Sequence, residues 1–120
     1  MKVLGTLIRV FIERDAMDKT IKFYEMLYQT TCMERAYYEG LNLELAIVDK
    51  AVIIAGDAES RKLFESARAT LLVDSIQETM YELQQRGAVC LTKPKRTPGS
   101  WIMLMQHPDG LIAEYVERVS

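Results

Sequence analysis

Asp15-Ala-Met-Asp-Lys-Thr-Ile-Lys-Phe-Tyr24 has a counterpart half a chain further on, Asp74-Ser-Ile-Gln-Glu-Thr-Met-Tyr-Glu-Leu83. Identity is low, yet the shift that carries Asp15 onto Asp74 puts Met17 on Ile76, Thr20 on Thr79, Ile21 on Met80 and Tyr24 on Leu83. Each stretch opens on an aspartate able to cap a helix, then spaces its apolar residues three or four apart. The spacing predicts two amphipathic helices, about 16–28 and 75–86, with Asp15 and Asp74 as N-caps. Gly87 stands just past the second, where a helix end favours glycine.

The same order of elements extends outward from both helices. Val3–Ile12 and Ala69–Val73 read as the strands that lead in. After the first helix come Thr31–Tyr38, then Leu41, Leu43, Leu45 and Ile47 alternating with Asn42, Glu44, Ala46 and Val48, and then Ala51–Ala55, closed by Gly56. After the second come Ala88–Thr92, Trp101–Gln106 and Leu111–Glu117, with His107-Pro-Asp-Gly110 as a turn. Lys93–Ser100 holds two prolines and reads as a loop, with Lys93, Lys95 and Arg96 as a solvated tip. The order is βαβββ twice, and a repeat of half the chain decides the fold. The expectation is an α+β protein: two tandem βαβββ modules forming a curved mixed sheet around a trough. The modules span 1–56 and 67–120, joined by a polar linker at 57–66, in one domain of 120 residues.

Composition narrows the function. The chain is 49% hydrophobic and 27% charged, with a net charge of -2, so it has no overall field to gather nucleic acid. No apolar run approaches the roughly 20 residues that span a bilayer. Arg9 interrupts the apolar N-terminal stretch and no small-residue cleavage site follows it, which argues against a signal peptide. Cys32 and Cys90 stand far apart in the chain and read as reduced, packed thiols, so a cytoplasmic location is expected. A single histidine, His107, cannot build a multi-histidine metal site within one chain.

The phrase from Asp15 to Tyr24, with its acidic start, small hydroxyl residue and Phe-Tyr end, resembles the glyoxalase I, bleomycin-resistance and extradiol-dioxygenase group, the vicinal oxygen chelate superfamily. So does the closing Pro98-Gly-Ser-Trp-Ile-Met-Leu-Met-Gln-His-Pro-Asp-Gly-Leu-Ile-Ala-Glu-Tyr115, although His107 stands where the family has Asp. The resemblance covers nearly the whole chain. It implies a homodimer that binds metal or substrate in the trough. It also implies four metal-ligand positions, on the first and last strands of each module, and these fall here on Arg9, Arg68, Ala55 and Glu114. Only Glu114 can coordinate. A guanidinium stays protonated and offers donors alone, and two of them repel a dication.

No metal or other cofactor is therefore expected; the alternative is a divalent metal held by Glu114 and ligands foreign to the family. Arg9, Arg68 and Glu114 have two open readings: a structural ion-pair network, or a site where one arginine presents its fork to a carboxylate or phosphate. Trp101 and Tyr38 are further candidate ligand contacts, each weighed against plain packing. Trp101, Met103 and Met105 share one strand face that is either core or trough wall.

The expected function is binding of a small anionic or aromatic molecule without a metal. The alternative is a metal-dependent lyase, isomerase, dioxygenase or thiol transferase of the same superfamily. Bleomycin-type ligands are cationic and suit an arginine-lined site poorly. A module that pairs its edge strands with a partner protein is a fourth reading.

Overall fold

The computed structural model describes residues 1–119. The elements are β1 (Val3–Ile12), α1 (Met17–Tyr28), β2 (Glu34–Tyr38), β3 (Leu43–Val48), β4 (Ala51–Ala55), α2 (Ala58–Arg61), β5 (Ala69–Val73), α3 (Ile76–Gln85), β6 (Val89–Thr97), β7 (Ser100–Gln106) and β8 (Ile112–Arg118). The fold is α+β, and the βαβββ order occurs twice, with the short α2 between the two runs.

The chain divides into two compact units: Ile8–Ser66, and Met1–Leu7 together with the chain from Ala67 onward. The cut falls within β1, which is ten residues long and serves two neighbours. Its first half goes with the unit that holds β5, while Ile8 to Ile12 pair in parallel with Ala51 to Ala55 of β4. The segment 57–66 folds back onto the first unit instead of hanging between the two.

In the Ile8–Ser66 unit the strand order is β2-β3-β4-β1. Strand alternation divides its side chains cleanly. Val10, Ile12, Ala46, Val48, Ile53 and Ala55 point to α1 and pack with Met17 and Ile21. The intervening Arg9, Phe11, Leu45, Ile47, Val52 and Ile54 occupy the helix-free face, in the register Arg9↔Val52, Phe11↔Ile54, Ile47↔Val52 and Leu45↔Ile54.

In the other unit β5, β8, β7 and β6 follow one another. Val73, Met103, Met105, Ala113 and Tyr115 pack on Ile76 of α3. Thr70, Leu104 and Glu114 alternate to the opposite face, in the register Thr70↔Glu114 and Leu104↔Glu114. Both cysteines are free thiols and half-buried.

Three expectations need correction. Asp15 does not cap α1: a 3-10 turn at Arg14–Ala16 enters the helix, and Ala16 sits at the cap with no side-chain bond. At α3 the cap is Ser75, whose Oγ accepts from the Glu78 N–H, while Asp74 accepts from the Lys2 N–H at 2.8 Å. Lys93 to Thr97 is strand, not loop. β6 is an edge strand, where Pro94 forfeits no ladder bond that matters, and bulges between Cys90 and Lys95 absorb the irregular register.

The repeat is not uniform either. The shift that carries Asp15 onto Asp74 also carries Met17 onto Ile76, and both are buried against their sheets. The helix-facing pair Ile53 and Ala55, however, is matched by Ala113 and Tyr115, one position further along than that shift predicts. The second module carries one extra residue between its helix and its last strand.

Gly56 closes β4 where a side chain has no room. A Cβ there would lie 2.6 Å from Leu43 Cδ2 and 3.2 Å from the Asn42 carbonyl oxygen. Leu43 is 1% exposed and cannot swing away. Gly56→Ala is expected to cost about 1–3 kcal/mol as overpacking and to lower the midpoint of thermal unfolding by several degrees, read by differential scanning calorimetry.

Candidate functional site

The two helix-free sheet faces carry the residues that the sequence singled out. In the Ile8–Ser66 unit, Arg9 is half-buried on β1. One of its terminal nitrogens donates to the Phe64 carbonyl at 3.0 Å, and its guanidinium lies 5.3 Å from the ring centre of Phe11, two residues along the same face. The folded-back segment 57–66 thus helps aim this cation. Asp57 starts α2 by accepting from the Ser60 N–H, the bond that chiefly holds its carboxyl below the ordinary range.

Tyr38 shares this helix-free face, opposite Leu43 on β3. Tyr37 points the other way: its hydroxyl donates to Asn42 Oδ1 at 2.9 Å, and the Arg14 guanidinium rests 4.4 Å from its ring centre.

In the second unit Glu114 lies on β8 with Thr70 beside it. The Thr70 hydroxyl, on a residue only 3% exposed, donates to Glu114 Oε1 at 3.1 Å. Arg68 is two residues before Thr70 and so on the same side of the strand; its backbone N–H joins the ladder at the Ile112 carbonyl, and its side chain is exposed. Arg68, Thr70 and Glu114 therefore share one face of their unit, and Arg9 lies on the corresponding face of the other.

Trp101 does not join them. It packs on the α3 side with Met103 and Met105, with the Arg96 guanidinium 6.0 Å from its ring centre. Of its two expected readings, core and trough wall, packing against the core is the one found. Ala55 is likewise displaced. It faces α1, and the residue that occupies on β4 the place of Glu114 on β8 is Ile54. A uniform shift along the chain misses this by the one extra residue in the second module.

The donor set does not fit a divalent metal. Taken with the register just described, the positions hold Arg9 and Ile54 in the Ile8–Ser66 unit, which offer no donor, and Arg68 and Glu114 in the other, which offer one carboxylate. Among the described residues no three His, Cys, Asp or Glu side chains cluster to hold an ion. His107 is spent on the α3 side, where its Nε2 is 2.7 Å from the Tyr115 hydroxyl.

Sequence reasoning does not find Thr70 or the Phe64 carbonyl. Thr70 is readable in principle, since alternation along Ala69–Val73 puts the only hydroxyl of that strand beside Glu114. The carbonyl of a residue in a polar linker has no signal in composition or spacing.

Burial raises the Tyr115 phenol above its ordinary value near 10. The folded protein thus holds that proton more tightly than the unfolded chain. Its contribution to stability is complete below about pH 10 and is lost as pH rises through the higher folded value. Denaturation curves taken at increasing alkaline pH should show this fall, and Tyr115→Phe should flatten it.

No protein-family profile and no curated protein sequence matches the chain, whereas solved structures do. An uncharacterized protein from Methanosarcina mazei superposes with a TM-score of 0.85 at 32% identity, over 99% of this chain and 95% of that one. Methylmalonyl-CoA epimerase from Mycobacterium tuberculosis gives 0.75 at 15% identity, over 98% and 90%. A Streptomyces coelicolor methylmalonyl-CoA epimerase variant in complex with 2-nitronate-propionyl-CoA gives 0.67 at 15% identity, over 99% and 100%.

Proposed function

We propose that this chain, which has the fold of methylmalonyl-CoA epimerases and resembles the vicinal oxygen chelate superfamily in sequence, binds a small anionic or aromatic molecule on its helix-free sheet faces and does so without a metal. The observation that carries this reading is the residue set at the metal-ligand positions. Arg9 and Arg68 replace neutral ligands with permanent cations, and Glu114 alone keeps an oxygen. A planar guanidinium is suited to a carboxylate or phosphate, which it grips through two parallel bonds. The Phe64 carbonyl holds Arg9 in a defined direction, which lowers the cost of ordering that side chain when a ligand arrives. Tyr38 supplies an aromatic edge with a hydroxyl on the same face as Arg9.

The structural neighbours favour an acyl-CoA as the first ligand to try. One of them is described in complex with methylmalonyl-CoA, a molecule bearing a carboxylate and phosphates. The superfamily resemblance further supports a homodimer, and the apolar side chains Phe23, Met26 and Leu27 lie exposed together on α1. A cytoplasmic location belongs to the same reading. Among the described residues no helix is long and apolar enough to cross a membrane.

Thermal unfolding in the presence of methylmalonyl-CoA, malonate and phosphorylated metabolites tests the proposal. A true ligand at about 100 times its dissociation constant adds about 2.7 kcal/mol of stability. Arg9→Ala or Arg68→Ala should abolish that gain, according to which unit's face holds the ligand, and light scattering of the same sample should return the mass of a dimer. If no anion raises the midpoint and both variants are only less stable, the arginines are structural and the binding reading is wrong.

A further inference from the structure

We propose a second ligand site, on the opposite side of the sheet from Glu114, that takes a small aromatic carboxylate. At the C-terminal end of α3 an open pocket of about 420 Å³ lies between the helix and the β7–β8 turn. That is within the range of small-molecule sites, toward its lower end. Its walls are apolar: Leu83 from the helix, Ala88 from the start of the next segment and Pro108 from the turn. Such walls suit one flat ring.

Its polar equipment is concentrated. Tyr115, 3% exposed, forms part of the lining, and its hydroxyl is 2.7 Å from His107 Nε2. With the imidazole accepting from or donating to the phenol oxygen, that oxygen retains capacity for one more partner. The turn that carries the imidazole is itself hydrogen-bonded. The His107 backbone N–H donates to the Leu111 carbonyl at 2.8 Å, and the Gly110 N–H to the His107 carbonyl at 2.9 Å, with Gly110 at φ +94°. Both polar groups are thus in place before a ligand arrives, which is the economical way to build a site.

The charge at the rim selects an anion. Arg86 belongs to the lining, and its contact with Glu82 is 3.9 Å, longer than a hydrogen bond, so the fork is open to a second carboxylate. Asp109 is the opposing charge. Its Oδ1 is turned into the loop, accepting from the Leu111 N–H at 3.0 Å. A carboxylate lodged here meets Arg86 at the rim and the Tyr115–His107 pair at the inner end, while its ring lies on Leu83, Ala88 and Pro108. Nothing in this site depends on Arg9, Arg68 or Glu114. Tyr115 and Glu114 are successive residues of β8 and point to opposite faces.

Titration of the full chain with benzoate, followed by amide nitrogen–proton spectra, tests the assignment. The expected result is a saturable shift centred on Leu83, Ala88, His107 and Tyr115. Arg86→Gln should weaken it at least fivefold and Tyr115→Phe about tenfold, whereas Arg9→Ala should leave it unchanged. Arg86 is exposed, so its replacement leaves the fold intact even if Tyr115→Phe does not. Benzyl alcohol should bind at least fivefold more weakly than benzoate. The site is refuted by the absence of saturable shifts, by equal binding of the alcohol, by full affinity in Arg86→Gln, or by loss of the shifts in Arg9→Ala.

Discussion

A guanidinium keeps its proton in proteins, and so it has no lone pair to give to a metal ion. That constraint governs the reading of the chain. Arg9 and Arg68 fall at two positions where the superfamily resemblance calls for metal-coordinating side chains, and β4 offers Ile54 where β8 offers Glu114. The protein keeps the fold of the methylmalonyl-CoA epimerases it superposes on, and at the positions the resemblance names it offers hydrogen-bond donors.

The second constraint is the two-residue period of a strand. On β8 it sends Ala113 and Tyr115 to α3 and Glu114 to the helix-free face. Neighbouring residues thereby serve two different environments. Glu114 receives the Thr70 hydroxyl, and Tyr115 meets the only histidine. The same period on β1 separates Val10 and Ile12, which pack on α1, from Arg9 and Phe11. A single-residue insertion inverts such an assignment. The second module has one between its helix and its last strand, and Ala55 consequently faces the core instead of matching Glu114.

Most of the architecture can be read from apolar spacing. It predicts Val3–Ile12 and Ala51–Ala55 with the bounds they have, because β-branched runs between charged or turn residues have no competing helical pattern. The caps are harder. Asp15 and Asp74 are plausible by type, but the choice between adjacent polar residues depends on backbone geometry, which gives Ser75 the cap and sends Asp74 to the Lys2 N–H. Lys93 to Thr97 misleads because prolines and lysines signal a loop, yet an edge strand tolerates both. Among the site residues, Arg9, Arg68 and Glu114 are named in the sequence by the family resemblance and the half-chain repeat, while the faces of the two arginines stay open there. The Phe64 carbonyl that holds Arg9 does not, since it depends on how the linker folds back. Trp101 is ambiguous for a physical reason: a strand face rich in large apolar groups looks the same whether a helix or a ligand covers it.

The central claim is that coordinating side chains have given way to permanent cations. Calorimetric titration of the full chain with Ni²⁺ and Mn²⁺, repeated on Glu114→Gln, addresses it most directly. The account predicts no stoichiometric binding in the micromolar range and identical traces for the two proteins. A one-to-one micromolar isotherm that disappears in Glu114→Gln would contradict it.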